Sequence, residues 1–323
     1  MTSSEHALDI RALGHRFGDK IVLQGIDWSL PRRGVVGLVG PNGAGKTTLF
    51  SILAGFLRLQ EGEVKILDAP RPGHPDLVGR VAVMPQDAIF ARDVTIRDQL
   101  LFLKSLDGVT GEAARNEVVS AMERVDLAAE LDRGAVILSH GMGKRLGVAQ
   151  AILGSPELVL LDEPTAGLDP SNARQVREII RELGKTALVI VSSHNLLELQ
   201  EIIEQVAIIV EGKMVVSGTV DEVTRRDRRF EIRLAGSITS EQAQVLRSCQ
   251  WVRHLAHEED RLTVDLDAGG EGGIDQALIE LLQKMLDEGI PPRELREGAS
   301  LEEAYLRLTG DPEPEQESRR LPE

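Results

Sequence analysis

The residues best suited to chemistry appear early in the chain, where Gly40-Pro41-Asn42-Gly43-Ala44-Gly45-Lys46-Thr47 satisfies the pattern G-x-x-x-x-G-K-S/T. Glycines let backbone N–H groups wrap phosphate oxygens, and a helix starting just behind them points its positive end at the same oxygens. The required context is present, with the apolar run Val35 to Val39 before the loop and the helical pattern Leu49, Ile52, Leu53 after it. Lys46 would reach the β- and γ-phosphates of a nucleotide, and the Thr47 hydroxyl would bind Mg2+. The second cluster is Leu158-Val159-Leu160-Leu161-Asp162-Glu163, an apolar strand ending in two carboxylates. Asp162 suits the holding of Mg2+, and Glu163 suits orienting or deprotonating an attacking water. By itself an apolar strand ending in Asp-Glu says little; downstream of a phosphate loop it completes a nucleotide site.

Such groups need a rigid frame. From Ile10 to about Gly218, short β-branched runs alternate with longer helical patterns, the signature of an α/β domain with a mostly parallel sheet. Val35 to Val39, Val81 to Met84, Leu158 to Asp162 and Ala187 to Ser192 are apolar nearly throughout, as strands covered on both faces should be. Between Thr95 and Glu130 the spacing of Ile96, Leu100, Leu101 and Leu103, then Val118, Val119, Met122 and Val125, is helical. A helical subdomain over about 88–155 is expected to interrupt the sheet.

The charge cluster Arg225-Arg226-Asp227-Arg228-Arg229 reads as a solvated linker that closes a first domain at about residue 224. Past it, Phe230, Ile232 and Leu234 alternate, as do Leu262, Val264 and Leu266, which predicts two half-buried strands. Ile274, Leu278, Leu281, Leu282 and Met285 recur at helical spacing before the break Gly289-Ile290-Pro291-Pro292. Residues 225–310 are therefore expected to form a small α+β domain, and the Pro- and Glu-rich 311–323 an acidic disordered tail.

The chain has 323 residues and a formal charge of −15, of which −9 falls in the 96 residues from Arg228. About two domains are expected from the length. The acidic balance argues against a broad nucleic-acid-binding surface, and leaves room for one local anion site. A single cysteine, Cys249, excludes an intramolecular disulfide and fits a reducing compartment; it reads as a small core residue rather than a redox site. No signal peptide is expected from Met-Thr-Ser-Ser-Glu-His, and no apolar run approaches the ~20 residues of a spanning helix. His254 and His257, three residues apart, fall in a predicted strand or turn and do not read as a metal site with the carboxylates or thiol nearby, and Trp251 reads as a core anchor of the second domain.

Between the two clusters lies Leu138-Ser139-His140-Gly141-Met142, and after them come Ala166-Gly167-Leu168-Asp169 and Ser192-Ser193-His194. This order resembles the ATPase subunit of ATP-binding cassette (ABC) transporters over roughly Ala7 to Gly218. The resemblance implies the fold of a P-loop ATPase with a mostly parallel sheet and a helical subdomain, and ATP with Mg2+ as cofactors. It implies contacts to ATP from Asn42, Gly43, Gly45, Lys46, Thr47 and Thr48, and to Mg2+ from Thr47, Asp162 and Gln86. Gln86, in Met84-Pro85-Gln86, matches the glutamine that also meets the attacking water; Glu163 and His194 match the catalytic acid and the switch histidine at the γ-phosphate. Phe17, in His15-Arg16-Phe17-Gly18, matches the aromatic that stacks on adenine. Ser139 and Gly141 match the signature that clasps ATP held by the opposite subunit, and Asp169 matches the D-loop. His140 and Met142 depart from the usual Leu-Ser-Gly-Gly-Gln, which leaves hydrolysis expected and puts its rate in question.

The same resemblance implies two cassettes per working unit, as two copies or a copy and a paralogue, and separate transmembrane permease subunits docking beside Gln86 and Asp87 to Leu106. Placement at the cytoplasmic face of a membrane follows. The Ser-x-Gly-Met signature, the small C-terminal domain and the segment Ser300 to Gly310 are similar to the drug- and antibiotic-export branch. The rival reading is a cassette ATPase acting in nucleic-acid, ribosome or cofactor-assembly processes; the long coiled coil or the second cassette usual in such proteins does not appear in the sequence.

Overall fold

The computed structural model of the protein describes residues 6–194, 199–225, 229–266 and 273–297. They divide into two compact units between Thr219 and Val220, a little ahead of the boundary expected at 224. Of the expected linker, Arg226 to Arg228 lie outside the described residues, as do Ser300 to Gly310 and the tail 311–323.

The first unit is built on two sheets. Strands β1 (His6–Phe17), β2 (Lys20–Pro31) and β4 (Glu61–Ile66) make an antiparallel sheet in the order β2-β1-β4. Strands β3 (Gly34–Val39), β5 (Val81–Met84), β6 (Leu158–Asp162), β7 (Leu188–Ser193), β8 (Gln205–Val210) and β9 (Lys213–Thr219) make the other, ordered β5-β6-β7-β3-β8-β9. All its ladders are parallel except β8 with β9. Strands β3, β6 and β7 are buried along their whole length, which is why they read as unbroken apolar runs. Helix α1 (Lys46–Leu53) gives Leu49, Phe50, Ile52 and Leu53 to a core shared by both sheets.

Between β5 and β6 the chain forms α2 (Ile96–Leu106), α3 (Gly111–Arg124) and α4 (His140–Ala151). Thr95 caps α2 by accepting the Asp98 N–H, and Ser139 caps α4 by accepting the Met142 N–H. Helix α5 (Pro170–Gly184) follows β6, with proline in its first turn and Asp169 as its cap.

The second unit comprises α6 (Val220–Arg225), β10 (Arg229–Leu234), α7 (Ser240–Arg247), β11 (Val252–Glu258), β12 (Arg261–Leu266), α8 (Gly273–Asp287) and β13 (Pro292–Glu297). From β10 onward the order is β-α-β-β-α-β, and the sheet runs β11-β12-β10-β13 with every ladder antiparallel, a split-βαβ, ferredoxin-like topology. Phe230, Ile232, Leu234, Leu262, Val264 and Leu266 turn one sheet face toward Ile274, Ala277, Leu281 and Met285 of α8. Trp251 packs against this core and donates its indole N–H to Glu280, whereas Cys249 is only half-buried. No helix of the described residues is long and apolar enough to cross a membrane.

Candidate nucleotide and catalytic site

Strand β3 delivers the chain into the loop 40–45, and the loop turns directly into α1. Gly43 and Gly45 have φ of 81° and 109°, values that a side chain disfavours. At Gly40 a Cβ would fall 2.2 Å from the Ile209 carbonyl oxygen, so the loop lies against β8 with no room for one. No side chain caps α1 and no acid sits in its first turn, which leaves its N-terminal amides for an anion. The loop is pinned from across the sheet: the Gly212 N–H donates to the Ala44 carbonyl at 3.1 Å, while Gly212 accepts the Gln24 N–H at 2.8 Å. Glu211 and Gly212, with φ of 48° and 77°, form the tight turn joining β8 to β9.

Lys46 is buried, and its Nζ donates to the carbonyls of Gly40 (2.7 Å) and Pro41 (3.1 Å). Burial pushes the amine below the ordinary lysine value, opposed by Glu163 and Asp162. A buried cation held on neutral carbonyls beside bare helix amides is a receptor for a polyanion.

The acids converge on the same end of the sheet. Asp162 Oδ2 accepts the Thr47 hydroxyl at 2.8 Å, and Asp162 Oδ1 accepts the Ser192 hydroxyl. Ser192, fully buried, also accepts the Glu163 N–H at 3.0 Å, so one oxygen ties the two carboxylate residues together. Glu163 itself has φ of 48°, an unfavourable backbone state for a non-glycine residue, and its side chain is buried. His194 Nδ1 lies 3.0 and 2.9 Å from the two Glu163 carboxylate oxygens, on a ring that is more than half exposed. Thr47, Asp162, Glu163 and His194 are thus brought together, and Gln86 joins them through its backbone carbonyl, which accepts the Lys144 Nζ at 2.7 Å.

Thr47 and Asp162 are the residues that would hold Mg2+. Both offer hard oxygen donors within hydrogen-bond distance of each other, the chemistry that cation prefers. No cluster of three His, Cys, Asp or Glu suited to a metal occurs among the described residues.

Ser139, Gly141 and Asp169 form a separate cluster. Asp169 Oδ1 accepts the N–H groups of Ser171 and Asn172, and Oδ2 accepts the Asn172 side chain at 2.5 Å. A Cβ on Gly141 would lie 2.7 Å from the Asn172 side chain, and one on Gly167 would lie 3.2 Å from His140 Nε2. No hydrogen bond of the described residues links this cluster to the loop 40–47 of its own chain. Phe17, at the end of β1, is 51% exposed and meets His15 edge to face at 4.8 Å. Gln60 fixes the backbone beside it, accepting the Arg16 N–H at 2.9 Å and donating to the Arg16 carbonyl at 3.0 Å.

Two residues of this site escaped sequence reasoning. Ser192 stands in the sequence as the end of an apolar strand and beside the histidine of Ser192-Ser193-His194, and its link to both acids appears once β6 and β7 are paired with Asp162 opposite Ser192. Lys144 lies three residues beyond Gly141, and nothing local marks it as an inward-facing cation.

Residues 23–166 match the family model of the ABC transporter. The chain is 34% identical over 215 residues to Nod factor export ATP-binding protein I of Burkholderia orbicola (strain AU 1054), covering 65% of this chain and 70% of that protein. It is 27% identical over 307 residues to the linearmycin resistance ATP-binding protein LnrL of Bacillus subtilis (strain 168), covering 91% and 95%. An ATP-binding cassette of an ABC transporter in its ADP conformation superposes with a TM-score of 0.61 at 23% identity, over 68% of this chain and 93% of its own, which is a likeness of fold. The cbiO1 cassette of Clostridium perfringens gives 0.61 at 25% identity, over 68% and 91%. The chain belongs to the family of ABC transporter ATP-binding proteins. It is an ATP-binding, ATP-hydrolysing subunit of a transporter, a class that works with membrane permease components.

Proposed function

We propose that this chain powers an exporter, hydrolysing ATP through Glu163 as general base within a pair of cassettes bound to separate permease subunits at the cytoplasmic face of a membrane. The observation that carries the catalytic part is the continuous set of contacts from Thr47 to Asp162, Ser192, Glu163 and His194. The export direction is supported by the relatives described as Nod factor export and linearmycin resistance proteins. Residues 1–224 would be the ATPase portion, with a helical subdomain over about 88–155, and 225–310 an accessory domain.

In this reading the loop amides of Asn42, Gly43 and Gly45, those of Thr47 and Thr48, and the Lys46 ammonium hold the phosphates, while Phe17 stacks on adenine. Mg2+, when bound at Thr47 and Asp162 with Gln86 nearby, supplies positive charge at the phosphate oxygens. Glu163 takes the proton of the attacking water, its carboxylate oriented by His194 Nδ1. Ser139, Gly141 and Asp169, held by local contacts of their own, serve the nucleotide of the second cassette.

Glu163→Gln keeps the shape and removes the base. ATP binding should persist while turnover falls by ~10² or more. Unchanged turnover would sink the assignment of the base. Transport direction is read by reconstituting the chain with its permease and following which side of the vesicle loses the transported compound on ATP addition; depletion from the side opposite the ATPase subunit means import.

A further inference from the structure

We infer that Lys144 is a positioning residue for hydrolysis, its ammonium tying the backbone carbonyl of Gln86 to that of Glu163, so that the placing of the catalytic acid depends on the loop that begins at Gln86. The inference rests on the assignment of Glu163 made above. Lys144 Nζ donates to the Gln86 carbonyl at 2.7 Å and to the Glu163 carbonyl at 3.2 Å.

Both partners matter. Glu163 sits in a left-handed backbone state that needs support from outside the residue. Its N–H is held by Ser192, and its carbonyl accepts from Lys144 as well as from the Ala166 N–H at 3.3 Å, so the peptide units on either side of the acid are clamped from different elements. Gln86 opens an exposed loop in which Ile89 is 93% exposed. A cavity lined by Gln86, Asp87, Phe90, Val136, His140 and Lys144 opens beside that loop.

Lys144 is carried on α4, which packs against β5 and the end of α3. A Cβ on Gly147 would come within 3.0 Å of Met84 Cε, so α4 lies close on β5, and Arg145 donates to the Val125 carbonyl at 3.1 Å. A displacement of the Gln86 loop therefore reaches Glu163 through one side chain of that helix.

The choice of a lysine here is costly. Its ammonium is buried and no carboxylate of the described residues lies within ion-pair distance, whereas the other buried lysine of the helical segment, Lys104, is paired with Asp107 and Glu117. Burial lowers the Lys144 amine below the usual lysine value, and Asp87, Glu163 and Asp162 work against that. A cation kept in such a place without a paired anion is held for its donors and its field.

The test is steady-state hydrolysis and hydrogen exchange by the full-length Lys144→Met and Lys144→Gln variants, with Glu163→Gln as control. Loss of the bridge displaces a reacting group by a fraction of an ångström, so Lys144→Met should lower kcat about ten- to a hundredfold with KM for ATP nearly unchanged. Lys144→Gln, with a shorter donor, should fall between Met and wild type. Amides of 86–89 and of Glu163, Thr165 and Ala166 should exchange faster together in Lys144→Met while those of β6 and β7 stay protected. Wild-type kcat in a folded Lys144→Met chain overturns the inference, as does equal loss in both variants with faster exchange throughout the first unit. If the methionine chain does not fold, the glutamine variant decides: kcat lowered several-fold at unchanged KM supports the bridge, and wild-type kcat overturns it. Should Glu163→Gln hydrolyse at the wild-type rate, the assignment of the base fails instead; an inactive Glu163→Gln beside an unaffected Lys144→Met removes the Lys144 role alone.

Discussion

Ser192→Ala removes one buried oxygen, and the structure says what that oxygen does. Its hydroxyl donates to the Asp162 carboxylate and accepts the Glu163 N–H. A hydrogen bond to a charged group contributes about 1.5–3 kcal/mol, and leaving a buried N–H without a partner costs about 1–3 kcal/mol. The two losses overlap, because alanine vacates a single point, and a combined destabilisation of about 3 kcal/mol is expected. For a unit of roughly 200 residues that lowers Tm by about 6–12 °C. The chain contains two tryptophans, Trp28 buried in β2 and Trp251 in the second unit, so in a Trp251→Phe background fluorescence follows the first unit alone. Melting is measured without nucleotide, since bound ATP would add stability of its own. Turnover should fall as well, because the backbone of Glu163 loses a fixed point. A Tm within about 2 °C of the parent, together with unchanged kcat, would refute the claim that Ser192 holds the two acids.

The remaining predictions concern charge and stacking. Because burial lowers the Lys46 amine below its ordinary 10.5 in the folded chain, the unfolded chain binds more protons just below that pH, and stability rises with pH through the window. The stability of nucleotide-free wild type should therefore gain on that of Lys46→Met as pH climbs toward 10.5, and a constant gap in denaturant titrations contradicts the buried-cation reading. Lys46→Met should also weaken ATP binding, at about 1.5–3 kcal/mol for each charge-assisted bond lost. Phe17→Ala removes a stacking surface worth about 1–3 kcal/mol per base, so ATP affinity should drop about 5- to 150-fold in a fluorescent-nucleotide titration with kcat nearly retained. Wild-type affinity would remove Phe17 from the site.

The phosphate loop was legible because its groups are contiguous and its chemistry needs particular residue types in order. The strands that carry it were legible for a different reason: β3, β6 and β7 are covered on both faces, and only unbroken apolar runs survive there. Strands β1 and β2 were harder to read, since their ladder shifts register at four places and each shift breaks the alternation that marks a half-buried strand. In the second unit β11 is bulged and β13 is exposed and highly charged, so neither carries a periodic signal, whereas β10 and β12 alternate cleanly. Ser192 and Lys144 belong to the site through strand register and helix packing, and no spacing along the chain encodes either. The helix caps Ser139 and Asp169 have the opposite character: each is readable locally as a cap and also as a member of a family motif.

The pin between Gly212 and Ala44 bears on the order in which the molecule is made. The loop 40–45 is synthesised early, yet β3 is flanked by β7 and β8, and the turn that fastens the loop closes only when β9 follows. A chain emerging N-terminus first carries the complete phosphate motif with β2 beside it at Gly45, but before β7, β8 and the Gly212 turn exist. The stability that bound nucleotide adds is therefore greatest once that turn has closed on the loop. An interrupted translation product that ends before Gly212 would carry the motif entire and lack the residue that fastens it to both β2 and the β8–β9 turn.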